Sequence, residues 1–193
     1  MCTERLSVTG QTRVRVRTAT ADDADAVARV NVDTWRTTYP GIVPDDLLAG
    51  LSYEDVARGY RRSLGDPTSI ARGIFGLLAQ DPRGGVVGIA LAGPTWEPNP
   101  EYTSEIRILY VLEAYQGRGI GHVLVHAAVE RLLERHHSSL VIWVFEANGP
   151  ARRFYEALGG QVVGQRKFQI RGFTIDEVAY GWKDLRSLAP STG

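Results

Sequence analysis

One continuous segment in the middle of the chain constrains the fold more than any other. It reads RILYVLEAYQGRGIGHVLVHAAVERLLER and spans residues 107–135. Its apolar first part is typical of a buried strand, and residues 117–135 have the apolar spacing of a helix of about five turns. Gly117, Gly119 and Gly121 separate the two parts. The segment therefore predicts a strand that passes into a helix through a glycine-rich turn.

The rest of the chain divides into short strands and helices. Strands are predicted in RVRVRT, in GIFGLLAQ and GVVGIALAG around the hairpin turn DPRGG, in SLVIWVFEA, and in the closing pair QVVGQRKFQI and FTIDEVAYGW. Helices are predicted after Asp22, at residues 46–51 and 52–64, and in NGPARRFYEALGG, where Pro150 suits the first turn and Gly159 the end. The order β-α-α-β-β-β-α-β-α-β-β predicts a mixed sheet flanked by helices, which is an α/β fold.

The composition limits the class of protein. The 193 residues suffice for one domain, which we expect over residues 13–186, with loose ends at 1–12 and 187–193. Basic and acidic residues both number 22, so the formal net charge is zero, which argues against nucleic acid or a membrane surface as a partner. The single cysteine, Cys2, cannot form an intrachain disulfide, and no signal-like apolar segment is present. We therefore expect a cytoplasmic protein.

The glycine-rich turn has two interpretations. Glycines ease a tight turn between a strand and a helix, and that alone would explain them. A helix N-terminus also presents unpaired N–H groups and a positive dipole end, which a phosphate can approach where side chains are absent. Two nucleotide motifs are excluded by spacing: GRGIGH is not G-x-G-x-x-G, and Ile120-Gly121 stands where a P-loop has Lys-Ser/Thr.

Two motifs resemble those of a known enzyme family. LYVLEAYQGRGIGHVLV is similar to motif A of the GNAT acetyltransferases, Gln/Arg-x-x-Gly-x-Gly/Ala, with Gln116, Gly119 and Gly121 at the matching positions. EANGPARRFYEALGG resembles the second conserved block of that family, in which an asparagine is followed seven residues later by a tyrosine. These residues are Asn148 and Tyr155. The two motifs stand in the family's order, and the order of strands and helices agrees with them over nearly the whole chain.

The resemblance implies a fold and a reaction. The fold is a GNAT fold: a mixed, mostly antiparallel sheet of about seven strands with a central splayed parallel pair, flanked by about four to five helices. The reaction is N-acetyl transfer from acetyl-CoA (coenzyme A as cosubstrate, no metal) to a primary amine of a small molecule or peptide. It proceeds by direct transfer through a tetrahedral intermediate. A homodimer is compatible with the family. The alternatives are a non-catalytic acyl-CoA-binding sensor or scaffold, and an enzyme for a longer acyl group.

The family's cosubstrate site carries over residue by residue. The N–H groups of residues 117–122 would hold the pyrophosphate, and the strand backbone at residues 109–111 would pair with the pantetheine arm. An N–H in that strand would polarise the thioester carbonyl, and Asn148 would contact the pantetheine arm. The implied cofactor-binding residues are Leu109, Tyr110, Val111, Gln116, Gly117, Arg118, Gly119, Ile120, Gly121, His122, Asn148 and Tyr155.

Two residues are candidates for the proton transfers. An alkyl amine has a pKa of about 10, so a general base that generates the neutral nucleophile is useful. Glu105 is the candidate base, because it precedes Gln116 by eleven residues, as in histone acetyltransferases of the family. Alternation along the strand predicts that Glu105 shares a face with Arg107, Leu109 and Val111. Tyr155 is the candidate general acid to the sulfur of coenzyme A.

Each assignment has a simpler alternative. Glu105 would also be explained as a strand-end carboxylate paired with Arg107, and Glu97 and Glu146 are weaker candidates for the base. Tyr155 belongs to a stripe with the i, i+3, i+4, i+7 spacing of a buried helix face, so its ring is equally explained by the core. Both roles are compatible, since a buried tyrosine ring can present its hydroxyl to a partner.

Residues outside the motifs suggest two further sites. Trp35, Tyr39 and Trp96 lie in or beside two irregular segments that frame the acceptor opening in relatives, which makes them candidate substrate-binding residues. An edge of the core or a dimer contact would explain them equally. His122 and His126 have a spacing that can bind zinc, but no third ligand is signalled. We expect the solvent side of a helix there and no metal site.

Overall fold

Seven strands form a single mixed sheet. The computed structural model describes residues 13–96 and 99–189. The strands are β1 (Arg15–Thr18), β2 (Phe75–Gln80), β3 (Val86–Pro94), β4 (Ser104–Val111), β5 (Leu140–Phe145), β6 (Gln161–Ile170) and β7 (Phe173–Trp182). Their order in the sheet is β1-β2-β3-β4-β5-β7-β6, and β4 and β5 are the parallel pair among antiparallel neighbours. The predicted mixed, mostly antiparallel sheet is confirmed.

Six α-helices occur in the described part of the chain, where four to five were predicted. They are α1 (Ala24–Thr38), α2 (Asp45–Ala49), α3 (Tyr53–Gly65), α4 (Pro67–Ala71), α5 (Ile120–Glu134) and α6 (Gly149–Ala157). The helix missing from the prediction is α4, a single turn. It begins where the Asp66 carboxylate accepts the N–H groups of Thr68 and Ser69, with Pro67 in the first turn. Aspartate followed by proline is a helix-start signal, so the sequence did offer it.

Helices cover both faces of the sheet because both faces are apolar. α5 packs on β2, β3 and β4, and its buried Leu124 and Leu132 belong to the main core. α1 packs on the opposite face against β3 and β4, where Val27 and Val30 meet Ile89. The two helices thus lie on opposite sides of β4, and any opening in the sheet beside this strand connects one helix to the other.

The parallel pair at the centre of the sheet separates soon after it begins. β4 and β5 are in register at Ser104–Leu140 and Glu105–Val141, whereas β5 remains paired with β7 from Leu140 to Phe145. The edge of β4 that faces β5 is therefore unpaired from Ile106 onward. This confirms the predicted splayed pair, and it leaves an opening between the C-terminal ends of the two strands.

A bulge in β4 places the residues before it on the opposite face of the sheet from the one that simple alternation predicts. The register against β3 shifts between Leu91 and Ala92, so that Arg107 is skipped in the pairing. Leu109 consequently packs with the α5 core, whereas Glu105 lies beside Val141, on the other face. The prediction that Glu105 shares a face with Leu109 and Val111 was wrong, because simple alternation does not survive an inserted residue.

The C-terminal part of the chain packs further than we predicted. Residues 185–188 form a 3₁₀ helix in which Leu185 and Leu188 are buried, so the packed chain extends beyond residue 186. These leucines belong to the α5 core, which explains their burial. The expected loose residues 1–12, Cys2 among them, lie outside the described residues. None of the helices described is long and apolar enough to cross a membrane.

Candidate active site

Two different structural requirements explain the three glycines after β4. Gly117 and Gly119 have φ values of 70° and 79°, in the left-handed region that disfavours side chains. Gly121 lies within α5, where an added Cβ would come within 3.2 Å of the Phe154 ring. Gln116 precedes them and donates from Nε2 to the Val111 carbonyl at 3.0 Å, which ties the turn to the end of β4. The first turn of α5 therefore presents bare backbone.

A cavity of about 840 Å³ opens at the divergence of β4 and β5. We call it the central cavity. It is bounded by the glycine turn and α5, by residues 109–111 of β4, by the start of α6 and by the end of α1. Arg118 is not in its lining and lies over the Tyr115 ring at 5.3 Å. The other predicted cofactor-binding residues all line it: Leu109, Tyr110, Val111, Gln116, Gly117, Gly119, Ile120, Gly121, His122, Asn148 and Tyr155.

The α6 side of the central cavity contributes a buried asparagine and a buried tyrosine. Asn148 caps α6, since its Oδ1 accepts the N–H of Ala151 at 3.2 Å. Tyr155 follows on the same helix and packs against the rings of Tyr180 and Trp182. Burial, and then the nearby Tyr110 hydroxyl, raise the pKa of Tyr155 above its ordinary value. Its hydroxyl therefore keeps its proton at neutral pH and can serve as a donor.

Aromatic residues connect this side to α1. The Trp35 indole Nε1 donates to the Tyr110 hydroxyl at 2.9 Å, and the Tyr39 side chain lies close enough to Tyr110 and Asn148 for both to influence its pKa. Burial raises the pKa of Tyr110 to about 12 and that of Tyr39 well above its ordinary value. These hydroxyls are neutral at physiological pH. The Trp35 hydrogen bond holds the Tyr110 hydroxyl from the α1 side.

Three threonines of α1 also line the central cavity, and sequence reasoning missed them. Thr34, Thr37 and Thr38 are spaced i, i+3, i+4, which puts them on one helix face. The Thr37 hydroxyl donates to the Asp33 carbonyl at 3.1 Å. The Thr34 hydroxyl is buried and has no hydrogen-bond partner among the described residues. Their helical spacing in TWRTT was the available signal.

Glu105 lies at the point where the two strands separate, on the face opposite α5. It is 9% exposed, and its Oε2 accepts the N–H of Trp96 at 3.1 Å. The Arg107 Nε is 3.9 Å from the same oxygen, a loose ion pair. Glu105 is not in the lining of the central cavity. The candidate base and the candidate acid Tyr155 are thus on different sides of β4, and Glu97 lies outside the described residues.

A second buried carboxylate, which sequence reasoning did not single out, occupies the same face as Glu105. Glu177 lies on β7 opposite Phe145, and Arg166 Nε donates to its Oε2 at 2.7 Å. The guanidinium also lies over the Trp143 ring at 4.0 Å. Burial raises the pKa of Glu177 in spite of the arginine. No sequence pattern marks this residue, because its burial depends on the neighbouring strands.

The three candidate substrate-binding aromatics are not brought together. Tyr39 lines the central cavity, and Trp35 is buried behind it, 4.8 Å from its ring centroid. Trp96 is 64% exposed and lies beside Arg107, away from that lining. Tyr102, from the same loop region as Trp96, is buried against β7. Only Tyr39 of the predicted three therefore faces the space where a substrate would lie.

A further cavity, of about 680 Å³, adjoins the central cavity and shares Ile42 with it. We call it the acidic cavity, because Asp45, Glu146 and Asp176 line it. Asp176 is paired with Lys167 at 2.9 Å. Glu146, one of the weaker base candidates, is exposed on its wall. Within residues 13–96 and 99–189, no group of three or more histidine, cysteine, aspartate or glutamate residues could hold a metal ion.

The fold and the site define an acyltransferase class, and comparison with known proteins identifies the family. A model of the acetyltransferase (GNAT) family matches residues 37–160. The chain belongs to the GNAT acetyltransferase family and is therefore an acyltransferase. It is 38% identical over 176 residues to the uncharacterized N-acetyltransferase YuaI of Bacillus subtilis strain 168, covering 91% of this chain and 96% of that protein.

Solved structures share the fold at lower identity. The PaiA N-acetyltransferase of Thermoplasma acidophilum in complex with coenzyme A has a TM-score of 0.64 and 19% identity, over 85% of this chain and 97% of that chain. The YncA protein of Salmonella typhimurium with its cofactor acetyl-CoA has a TM-score of 0.64 and 18% identity, over 90% and 95%. The GNAT fold is thereby confirmed. One of these neighbours holds coenzyme A and the other holds acetyl-CoA.

Proposed function

We propose that this protein transfers an acetyl group from acetyl-CoA directly to a primary amine. The observation that carries the proposal is the central cavity. In it the glycine turn, the unpaired edge of β4 and the pair Asn148 and Tyr155 meet at the divergence of the sheet. The names of related N-acetyltransferases, and the coenzyme A and acetyl-CoA held by the structural neighbours, support the same reaction.

The residues of the central cavity fit the parts of coenzyme A. The first turn of α5 has N–H groups without partners inside the helix, and Gly117 has open space where a Cβ would stand. The unpaired edge of β4 can accept an extended chain as an added strand. We assign the pyrophosphate to residues 117–122 and the pantetheine arm to residues 109–111 and Asn148. When bound, acetyl-CoA supplies the acetyl thioester.

Tyr155 is the general acid in this proposal. The amine nitrogen bonds to the thioester carbon, the carbon–sulfur bond breaks, and the sulfur needs a proton. A phenol whose pKa is raised by burial retains that proton until a thiolate develops beside it. A backbone N–H of residues 109–111 stabilises the oxygen of the tetrahedral intermediate. An amine that arrives protonated loses two protons: the first goes to the general base and on to solvent, and the second balances the proton gained by sulfur.

Glu105 is the general base, acting on the amine from the face opposite α5. It is buried at the last paired residue of β4 before the opening, so a water chain through the opening can link it to the amine. The hydrogen bond from Trp96 fixes one carboxylate oxygen and leaves the other to accept. We place Glu146 second, because it is exposed on the wall of the acidic cavity.

The acceptor reaches the site through the acidic cavity. This cavity adjoins the central cavity at Ile42, on the side away from the glycine turn. Asp45 and Glu146 favour a cationic ligand, and an alkyl amine in solution is protonated at neutral pH. We therefore propose a small molecule or peptide with a cationic amine as the acceptor.

Two measurements test the proposal. Coenzyme A at about 100 times its Kd should stabilise the protein by about 2.7 kcal/mol in a thermal unfolding assay. Release of free thiol from acetyl-CoA in the presence of a panel of amines should then identify an acceptor. Stabilisation without release would favour a sensor or scaffold, and faster release from a longer acyl-CoA would indicate another acyl group. Absence of stabilisation at millimolar coenzyme A would refute the cofactor assignment.

A further inference from the structure

Two histidines of α5 line the central cavity, and their side chains have no part in the mechanism above. His122 and His126 are one helical turn apart, so their side chains share a face, and that face borders the cavity beside Gly119 and Gly121. The His122 ring packs edge-on against Phe154, with centroids 4.9 Å apart. His126 lies one turn deeper and is half-buried. The prediction that both residues lie on the solvent side of the helix therefore does not hold for His126.

We propose that His122 and His126 bind a phosphate group of coenzyme A, and that His126 does so in its protonated form, so that cofactor binding takes up protons near neutral pH. The inference rests on the proposed function, because the central cavity must be the coenzyme A site. Both residues line the same cavity as the backbone to which we assign the pyrophosphate. An imidazolium donates from both ring nitrogens, and phosphate oxygens are strong acceptors.

The surroundings of His126 favour proton uptake on binding. Burial, and then the neighbouring His122, lower the pKa of His126, so the ligand-free protein holds its neutral form preferentially. A phosphate anion beside the ring would favour the charged form and raise the pKa. A pKa that is higher in the bound than in the free protein means that binding takes up protons and strengthens as the pH falls.

The other ionisable groups around the pair are of types that do not ordinarily titrate between about pH 6 and 8. Glu113 lines the cavity after β4. Arg118 lies in the turn before α5, four residues before His122, and Glu130 follows His126 by four residues on α5. The tyrosines that line the cavity from α1, β4 and α6, and from the turn after β4, are neutral phenols with raised pKa values: Tyr39, Tyr110, Tyr155 and Tyr115, the last of which donates to Asp81.

Calorimetry on the unaltered protein tests the proposal without an acceptor. Coenzyme A is titrated at pH 7 in two buffers of different ionisation enthalpy, and the difference in heat gives the protons exchanged. We expect uptake of about half a proton or more per coenzyme A, and binding about threefold to tenfold tighter at pH 6 than at pH 8. The double variant His122→Gln, His126→Gln keeps amide donors but cannot titrate, so its uptake and pH dependence should disappear.

The control variant is His136→Asn, at the other end of α5. His136 is exposed with a φ of 63°, which asparagine tolerates, and the change should leave proton uptake as it is in the unaltered protein. Dephospho-coenzyme A distinguishes the phosphates: uptake retained assigns the pair to the pyrophosphate, and uptake lost assigns it to the 3′-phosphate. Coenzyme A binding without proton uptake would overturn this inference alone, whereas no binding at all would overturn the proposed function with it.

Discussion

The two sides of the central cavity differ in the groups that they present. On the α5 and α6 side the groups presented are mainly those of the main chain: glycines in the left-handed conformation and the N–H groups at the start of α5. On the α1 side, side-chain hydroxyls line the wall, from Thr34 to Tyr39. Main-chain chemistry requires glycine at fixed positions, whereas a hydroxyl-lined wall can be built in many ways. This explains why a motif can indicate the cofactor and leave the acceptor open.

The largest effect is expected from Tyr155, on the α5 and α6 side. Tyr155→Phe keeps the buried ring and removes the proposed acid, so we expect kcat to fall by about 10²–10⁴-fold while coenzyme A still binds. Because burial raises the pKa of Tyr155, the rate of the unaltered protein should not decline through loss of its proton below about pH 10. Steady-state kinetics across pH measures both.

Tyr60→Phe is the matched control for that change. Tyr60 is a half-buried tyrosine whose hydroxyl accepts a hydrogen bond from Asn31 at 2.8 Å, but it packs in the cluster between α1 and β2 and does not line the central cavity. Its loss should leave kcat within about a factor of two, since a distant hydroxyl has no part in the transition state. Equal turnover in Tyr155→Phe and the unaltered protein would show that the acid assignment is wrong.

The second-largest effect on kcat is expected from a substitution of the proposed general base, Glu105. Glu105→Gln keeps an oxygen to accept the Trp96 N–H and removes the base, so we expect about a 10²-fold loss of kcat. The comparison variant is Glu177→Gln, which alters the other buried carboxylate of the same face. Measuring kcat of both variants decides which carboxylate is the base. If kcat fell in Glu177→Gln and was unchanged in Glu105→Gln, Glu177 would be the base.

A smaller effect is expected on the cofactor side from the backbone alone. Gly117→Ala puts a Cβ into open space at a φ of 70°, so the strain of the left-handed conformation is the only cost, roughly 1–2 kcal/mol. If residue 117 keeps its left-handed conformation, the free energy of unfolding falls by that amount. If the turn instead adopts another conformation, coenzyme A affinity falls by about 5–30-fold. Thermal unfolding with and without coenzyme A separates the two.

Gly59→Ala supplies the control for the glycine change. Gly59 lies exposed in α3 with open space around its Cβ position, and no left-handed φ is involved. Alanine should therefore stabilise the helix by up to about 1 kcal/mol and leave coenzyme A binding unchanged. Loss of binding in Gly59→Ala as large as that in Gly117→Ala would mean that the turn is not the phosphate site.

The smallest effect is expected from the threonines of α1. Thr34→Val removes a buried hydroxyl without a partner, so the ligand-free protein should be as stable as before or more stable. If that hydroxyl contacts the acceptor, KM for the acceptor should rise by about threefold to tenfold, from roughly 0.7–1.4 kcal/mol of one hydrogen bond. Thr37→Val is the control, because its hydroxyl is already bonded to the Asp33 carbonyl. An unchanged KM in Thr34→Val would remove Thr34 from the acceptor site.

Much of the fold could be predicted because its signals are local. The strand, the glycine turn and the helix of residues 107–135 lie in one continuous stretch, and the two hairpins have their turns between their strands. The cofactor side followed from this stretch together with Asn148 and Tyr155. All of these signals act within a few residues of one another, which is the range over which apolar periodicity and turn chemistry operate.

The remaining features depend on contacts between distant segments. The bulge that moves Glu105 to the opposite face of the sheet arises from the register of β4 against β3. No residue within β4 indicates it in the sequence. The burial of Glu177 and the exposure of Trp96 likewise depend on how neighbouring strands and loops pack. The placement of the candidate substrate-binding aromatics was therefore not predictable: of Trp35, Tyr39 and Trp96, one lines the central cavity. Side-chain walls assembled from several elements leave little trace in a single sequence.

Hydrogen exchange with and without coenzyme A tests the central claim most directly. The claim is that the bare backbone after β4 holds the cofactor along the opening of the sheet. We predict that coenzyme A slows exchange of the amides at residues 109–111 and 117–122, while those of β1 and β2 change no more than global stabilisation requires. Bound coenzyme A that leaves residues 109–122 unprotected, or protects a different surface, would contradict the account.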